Sequence, residues 1–158
     1  MADKPIKQNV PPISEHVIAF DYGLKYIGSA VGNIKTMLAQ PLQTISCKSG
    51  AADWQAIDKI CSVWQPRGFV VGYPNTDSPS PLLKKLDIFI DRLHTRFDLP
   101  VDKSDEYLSS IEAYRILKLK RIAGETGRIV RSDIDKVAAA LILESWFAIQ
   151  KPQTLNEN

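Results

Sequence analysis

A chain of 158 residues, 44% of them hydrophobic, is long enough for one domain with a true core and too short for two of ordinary size. Its formal net charge of +2 marks neither a polybasic nor a polyacidic protein, so any nucleic-acid-binding surface has to come from local clustering. Two cysteines, Cys47 and Cys61, match neither a disulfide framework nor a metal-ligand spacing, and no apolar run is long enough to span a bilayer; a soluble, cytoplasmic protein is expected.

Residues 1–14, with three prolines and scattered charge, read as a disordered lead-in. Val17 to Asp21 and Tyr26 to Val31 are short apolar runs separated by "YGLK", the pattern of an antiparallel hairpin. A third strand is expected over Leu42 to Ser46, then a helix over Ala51 to Trp64, where Trp54, Ile57, Ile60, Cys61 and Trp64 recur at helical spacing. "FVVGYP" is unbroken apolar and suits an interior strand. From Pro81, Leu82, Leu83, Leu86, Phe89, Ile90 and Leu93 mark a helix ending near "FDLP", and "PVDKSDEY" runs as a short strand into acidic residues. "SSIEAYRILKLKRI" opens with Ser109 three residues before Glu112, a capping box, and "AGETGR" breaks the helix it starts. The closing helix carries Ile134, Val137, Ala138, Leu141, Ile142 and Trp146 on one face. Three strands, helix, strand, helix, strand, helix, helix is the order of an α/β fold, a mixed sheet with helices on its faces. The domain is expected over residues 15–150, with 151–158 a disordered tail.

Ligands in such sheets bind where loops leave the strand ends. Asp21 leaves the first strand. Glu106 leaves the strand "VDKSD"; its neighbour Asp105 points to the opposite side if the strand continues, so one of the two is well placed. Asp135, read as lying in the first turn of the closing helix, can be aimed at the same edge. Three acids with few histidines or cysteines nearby favour a hard cation such as Mg²⁺ or Mn²⁺. Two of them have a plainer reading: Asp21-Tyr22-Gly23 is also a turn composition, and Asp135 completes a capping box with Ser132. Asp133 reads as a cap or solvated charge, His16 and His94 lack partners at ligand spacing, and the three tryptophans sit on apolar helix faces.

Net charge conceals one cluster. Arg115, Lys118, Lys120, Arg121, Arg128 and Arg131 are opposed only by Glu125 in "RILKLKRIAGETGRIVR", and Lys25 lies in the turn after Asp21. A run of this kind is usually a solvated helix face; between Glu106 and Asp135 it also suits a surface that tracks phosphates.

The pieces "FDYGLKYIGSAVG", "FVVGYP", "DEYLSSIEA" and "DIDKVAAALILESW", in this order between about Val17 and Ile149, resemble the YqgF/RuvX family of pre-16S rRNA nucleases and Holliday junction resolvases. The resemblance implies a ribonuclease H-like fold and carries the family's acidic roles to Asp21, Glu106 and Asp135, selecting Glu106 over Asp105. It also points to precursor 16S rRNA in ribosome biogenesis as substrate. The leading expectation is a metal-dependent endonuclease in which two cations about 3.5–4 Å apart, bridged by Asp21, activate water and stabilise the leaving oxygen. Tyr26 and Tyr107 stand where the family usually has arginine, and "NTDSPSP" lacks the glycine expected after "VGYP". A monomer is the expectation; branched DNA cut by a dimer, or a non-catalytic maturation factor, are the alternatives. "DYGLKYIGSA" also resembles the first phosphate loop of actin-like kinases, but there is no room for their second lobe.

Overall fold

The computed structural model describes residues 14–75, 78–105, 112, 115–116, 119, 124 and 131–155. Among these, β1 (His16–Asp21), β2 (Tyr26–Asn33), β3 (Leu38–Lys48), β4 (Ala51–Ala52), β5 (Gly68–Tyr73) and β6 (Val101–Asp105) form one sheet in the order β4-β3-β2-β1-β5-β6. β1 is antiparallel to β2 and parallel to β5, and β5 is parallel to β6. The mixed sheet is the expected one, with "FVVGYP" in its interior.

Local chemistry sets the element ends. The β3–β4 turn holds Ser49 (φ 53°) and Gly50 (φ 86°) both in the left-handed region, the pattern of a two-residue hairpin turn. Ala51–Ala52 therefore pairs back onto Cys47–Lys48 as β4 rather than opening the helix, a correction to the expected start. The helix α1 (Trp54–Trp64) begins instead at Asp53, whose side chain accepts from the Ala56 N–H at 3.3 Å, and it stops where Gln65 turns left-handed before Pro66. In α2 (Pro81–Phe97), Ser80 caps the Leu83 N–H at 3.1 Å and Pro81 follows in the first turn. The third helix described in full, α3, spans Arg131–Leu155, past the end expected at Gln150. The expected helix from Ser109 lies mostly outside the described residues; Glu112, Arg115, Ile116 and Leu119 are helical.

The helices cover both faces. Ile18, Phe20, Ile27, Val31, Phe69 and Val71 pack with Ile57 and Ile60 of α1 and Leu86, Phe89 and Leu93 of α2. The alternate residues Val17, Ala19 and Val70 pack with Ile142, Leu143 and Phe147 of α3. Each strand thus divides its side chains between two cores by the two-residue period.

The seat of α3 differs from the expected one. Its buried residues are Asp135, Ala138, Ala139, Ala140, Ile142, Leu143 and Phe147, while Ile134, Val137 and Leu141 are only half-buried. The buried face is turned by about one residue, about 100° on a 3.6-residue helix. Small residues cause the rotation: β2 presents Gly28, Ala30 and Gly32 toward α3, and Ala139 and Ala140 pack on Ala30. A face of large apolar residues could not approach so closely.

Candidate active site

Asp21 is the last residue of β1 and is half-buried. Val17 and Ala19 face α3, so the alternation directs Asp21 to the α3 face as well. The next residue, Tyr22, goes into the opposite core and anchors the strand end by donating its hydroxyl to the Gly50 carbonyl at 2.7 Å. Burial first, and Cys47 second, hold its phenol above the ordinary tyrosine value, so it remains a neutral donor.

Asp21 pairs in register with Gly28 of β2. A methyl group on Gly28 would lie 1.9 Å from the Asp135 carbonyl oxygen and 2.7 Å from the Lys136 nitrogen. The backbone of α3 at Asp135 therefore rests directly on Gly28, the neighbour of Asp21. Asp135 is 5% exposed and is the fifth residue of α3, one turn further in than its expected place, and Ser132 lies inside the helix rather than at its cap. Asp133, in the first turn, pairs with Lys136 at 3.5 Å. Beside Gly28, β2 carries a register shift against β3 that Ser29 closes: its hydroxyl donates to the Gln43 carbonyl at 2.6 Å and accepts from the Gln43 N–H at 3.2 Å.

On its other side β1 pairs Phe20 with Val71, so the same register sets Asp21 beside Gly72, and Gly72 pairs with Ser104 of β6. A row Gly28, Asp21, Gly72, Ser104 thus crosses the α3 face, with a glycine on each side of the carboxylate. The sequence reading missed both glycines and Ser104. The alternation Gly28-x-Ala30-x-Gly32 was the legible signal, since small residues on one strand face admit a helix backbone.

The remaining expected residues divide. Asp105 ends β6 on the parity of Lys103, whose ammonium lies 4.3 Å from the centre of the Tyr73 ring on the side away from α3. Glu106, Lys118, Lys120, Arg121 and Arg128 lie outside the described residues, as does the side chain of Arg131, which opens α3. Lys25 is exposed in the β1–β2 loop. Arg115 is not opposed by Glu125 alone: it makes a two-pronged pair with Glu112, three residues back on the same helix face, and that bond holds the Glu112 carboxyl below its ordinary value. His16 packs edge-on against Trp64, and a ring nitrogen of His94 bonds the Leu99 carbonyl. Trp54 and Trp64 pack against the first core, and Trp146 donates to Asp102 at 3.1 Å, tying α3 to β6.

Among the described residues no three acidic, histidine or cysteine side chains meet as a metal site, Glu106 being outside them. The oxygen-bearing residues along this edge are Asp21, Asp135, which is buried and whose backbone rests on Gly28, and Ser104, whose buried hydroxyl lacks a hydrogen-bond partner. Oxygen donors without histidine or thiolate suit a hard divalent cation better than zinc.

A family model described as "RuvX: Holliday junction resolvase" matches residues 15–149. A "Putative pre-16S rRNA nuclease" of Edwardsiella ictaluri is 42% identical over 137 residues, 85% of this chain and 95% of the relative. One of the same name from Pseudomonas putida is 40% identical over 82% of this chain and 92% of its own length. Among solved structures, RuvC of T. thermophilus in complex with a Holliday junction substrate superposes with a TM-score of 0.52 at 14% identity, covering 85% of this chain and 94% of that one. The Fowlpox virus resolvase in complex with Holliday junction DNA gives 0.52 at 13% identity, covering 86% and 99%. At that identity the structures establish the fold, which is the ribonuclease H-like, RuvC-type sheet expected from the motifs. With its family model matched across the whole folded region, the chain belongs to the RuvX family.

Proposed function

We propose that this protein is a divalent-metal-dependent nuclease that processes the 5′ end of precursor 16S rRNA in the cytoplasm during ribosome biogenesis. The observation that carries the reading is the contact of the Asp135 backbone with Gly28, the register partner of Asp21. That contact supports a shared site for two acids distant in the chain, since it sets the backbone of one on the sheet residue beside the other. Asp21, Glu106 and Asp135 are the proposed ligands of Mg²⁺ or Mn²⁺, with Glu106 assigned from its place in the chain directly after β6 and from the family motif. The bound cation would supply charge stabilisation for phosphodiester hydrolysis and a water made acidic enough to attack. Asp135 contributes a carboxylate held by the body of α3 rather than by a loop, so its position is fixed before substrate arrives. Lys25, Arg115, Lys118, Lys120, Arg121, Arg128 and Arg131 are the proposed phosphate contacts, Arg115 at the cost of its pair with Glu112.

The family description and the Holliday junction substrates bound by two of the fold neighbours favour a second reading, resolution of branched DNA. Paired cuts require a symmetric dimer, whereas RNA trimming is within reach of a monomer. Cleavage of a precursor 16S rRNA fragment and a four-way DNA junction, side by side with Asp21→Asn as control, separates the two. RNA cleavage by a monomer supports the proposal; symmetric junction cleavage by a stable dimer replaces it. Nucleic-acid binding with no cleavage of either substrate in Mg²⁺ or Mn²⁺ points to a non-catalytic maturation factor.

A further inference from the structure

The Ser104 hydroxyl is the one buried side-chain polar atom among the described residues that lacks a hydrogen-bond partner, and Ser104 is only 6% exposed. An orphaned hydroxyl in a packed interior is costly, and native folds rarely keep one without a use. Its side of the sheet is settled by its neighbours. Val101 packs in the core of α1 and α2, whereas Asp102 bonds Trp146 of α3, so the alternation turns Ser104 to the α3 face, where Asp21 also lies. On the strand between them, β5, the register partner of Ser104 is Gly72, which carries no side chain. With neighbouring strands about 4.8 Å apart, the strands of Asp21 and Ser104 are separated by about 10 Å, too far for a direct hydrogen bond between the two side chains.

We infer that Ser104 is a positioning residue for the metal site proposed above: its hydroxyl holds a water of the cation's hydration shell over Gly72, across from Asp21. The inference rests on the metal-dependent reading. Magnesium-like cations keep several waters when protein carboxylates bind them, and those waters need partners. A buried hydroxyl both accepts from such a water and donates onward, which neither Gly72 nor the apolar residues on the face can do. Ser104 is therefore left unpaired in the metal-free fold and is satisfied when the site is loaded.

The test uses the full chain and Mn²⁺ itself as the probe, titrated calorimetrically without nucleic acid, alongside melting of the metal-free protein. Ser104→Ala is expected to weaken Mn²⁺ binding about 10-fold or more, the usual effect of losing an outer-shell partner. The same change should raise the metal-free melting temperature by about 2–4 °C, because it removes an unsatisfied hydroxyl. Ser104→Thr, which keeps the hydroxyl, should retain Mn²⁺ affinity. Binding within about twofold of wild type in Ser104→Ala overturns the inference, and so does a fall in its metal-free melting temperature, which would assign the hydroxyl a structural bond. Asp21→Asn separates the two levels of failure. Mn²⁺ binding that depends on Asp21 but ignores Ser104 removes only this inference, whereas binding that ignores Asp21 removes the metal site and the inference with it.

Discussion

Gly28→Ala tests the geometry on which the site depends. The new methyl would lie 1.9 Å from the Asp135 carbonyl oxygen and 2.2 Å from its carbon, both backbone atoms of a helix packed on the sheet. Neither can swing aside, so α3 must retreat by about 1.5 Å at Asp135 to reach ordinary contact. Overpacking of this kind costs about 1–3 kcal/mol. At about 2–4 °C per kcal/mol for a chain of this size, the melting temperature should drop by about 2–12 °C. The larger effect should be on catalysis, because displacing a reacting group by about 1 Å costs about 10²-fold. Gly32→Ala is the internal control. Its methyl would meet the side-chain ends of Phe147 and Leu143 at 2.7 and 2.8 Å, flexible groups about 13 Å further along β2. Part of its strain is offset by about 0.4–1 kcal/mol of reduced freedom in the unfolded chain. Differential scanning fluorimetry and cleavage of a 5′-labelled precursor 16S rRNA fragment read both effects. The reasoning is refuted if Gly28→Ala cleaves at the wild-type rate, or loses no more activity than Gly32→Ala at matched stability.

Four further outcomes are expected. Asp21→Asn, Glu106→Gln and Asp135→Asn should each remove most cleavage while RNA affinity, measured by filter binding, holds or rises, since a charge that repels phosphate is gone; an Asp135→Asn protein that cleaves normally but melts early would make that acid purely structural. Mg²⁺ or Mn²⁺ should support the reaction and Ca²⁺ support it poorly, as its longer bonds and higher coordination number suit the site less, and full activity in a chelator would eliminate the metal. Neutralising any two of Lys118, Lys120, Arg121 and Arg128 should flatten the dependence of log affinity on log salt by about 1.4 for a single strand, with Arg115→Gln contributing less because Glu112 already engages Arg115; an unchanged slope would return the segment to a solvated helix face. Burial pushes the thiols of Cys47 and Cys61 up to about 11, with Asp58 adding to the rise at Cys61. Both should resist alkylation at pH 8 until the protein is denatured, and their contribution to stability, complete below the unfolded thiol value near 9, should fade as pH rises toward 11; rapid labelling of the native protein would contradict their burial.

Sequence alone settled the features governed by neighbours two to four residues apart. The short apolar runs Val17–Asp21 and Tyr26–Val31 marked the β1–β2 hairpin, and apolar residues at helical spacing marked the bodies of α1 and α2, although not the Asp53 cap at which α1 begins. The order of motifs identified the family, because a family's pattern stores distant relationships that local periodicity cannot express. The tertiary structure alone decided how α3 sits. Hydrophobicity placed Asp135 beside the apolar stripe through Ile134, Val137 and Leu141, but the helix turned to seat Ala139 and Ala140 on Ala30, and that rotation buried Asp135 and set its backbone on Gly28, the neighbour of Asp21. It also decided that Ala51–Ala52 pairs as a strand, because a two-residue ladder is specified by the turn it closes and the partner it meets. Ser104 belongs to the same class: a serine in a short strand has no intrinsic address, and only the pairing of β1, β5 and β6 sets it across a glycine from the carboxylate.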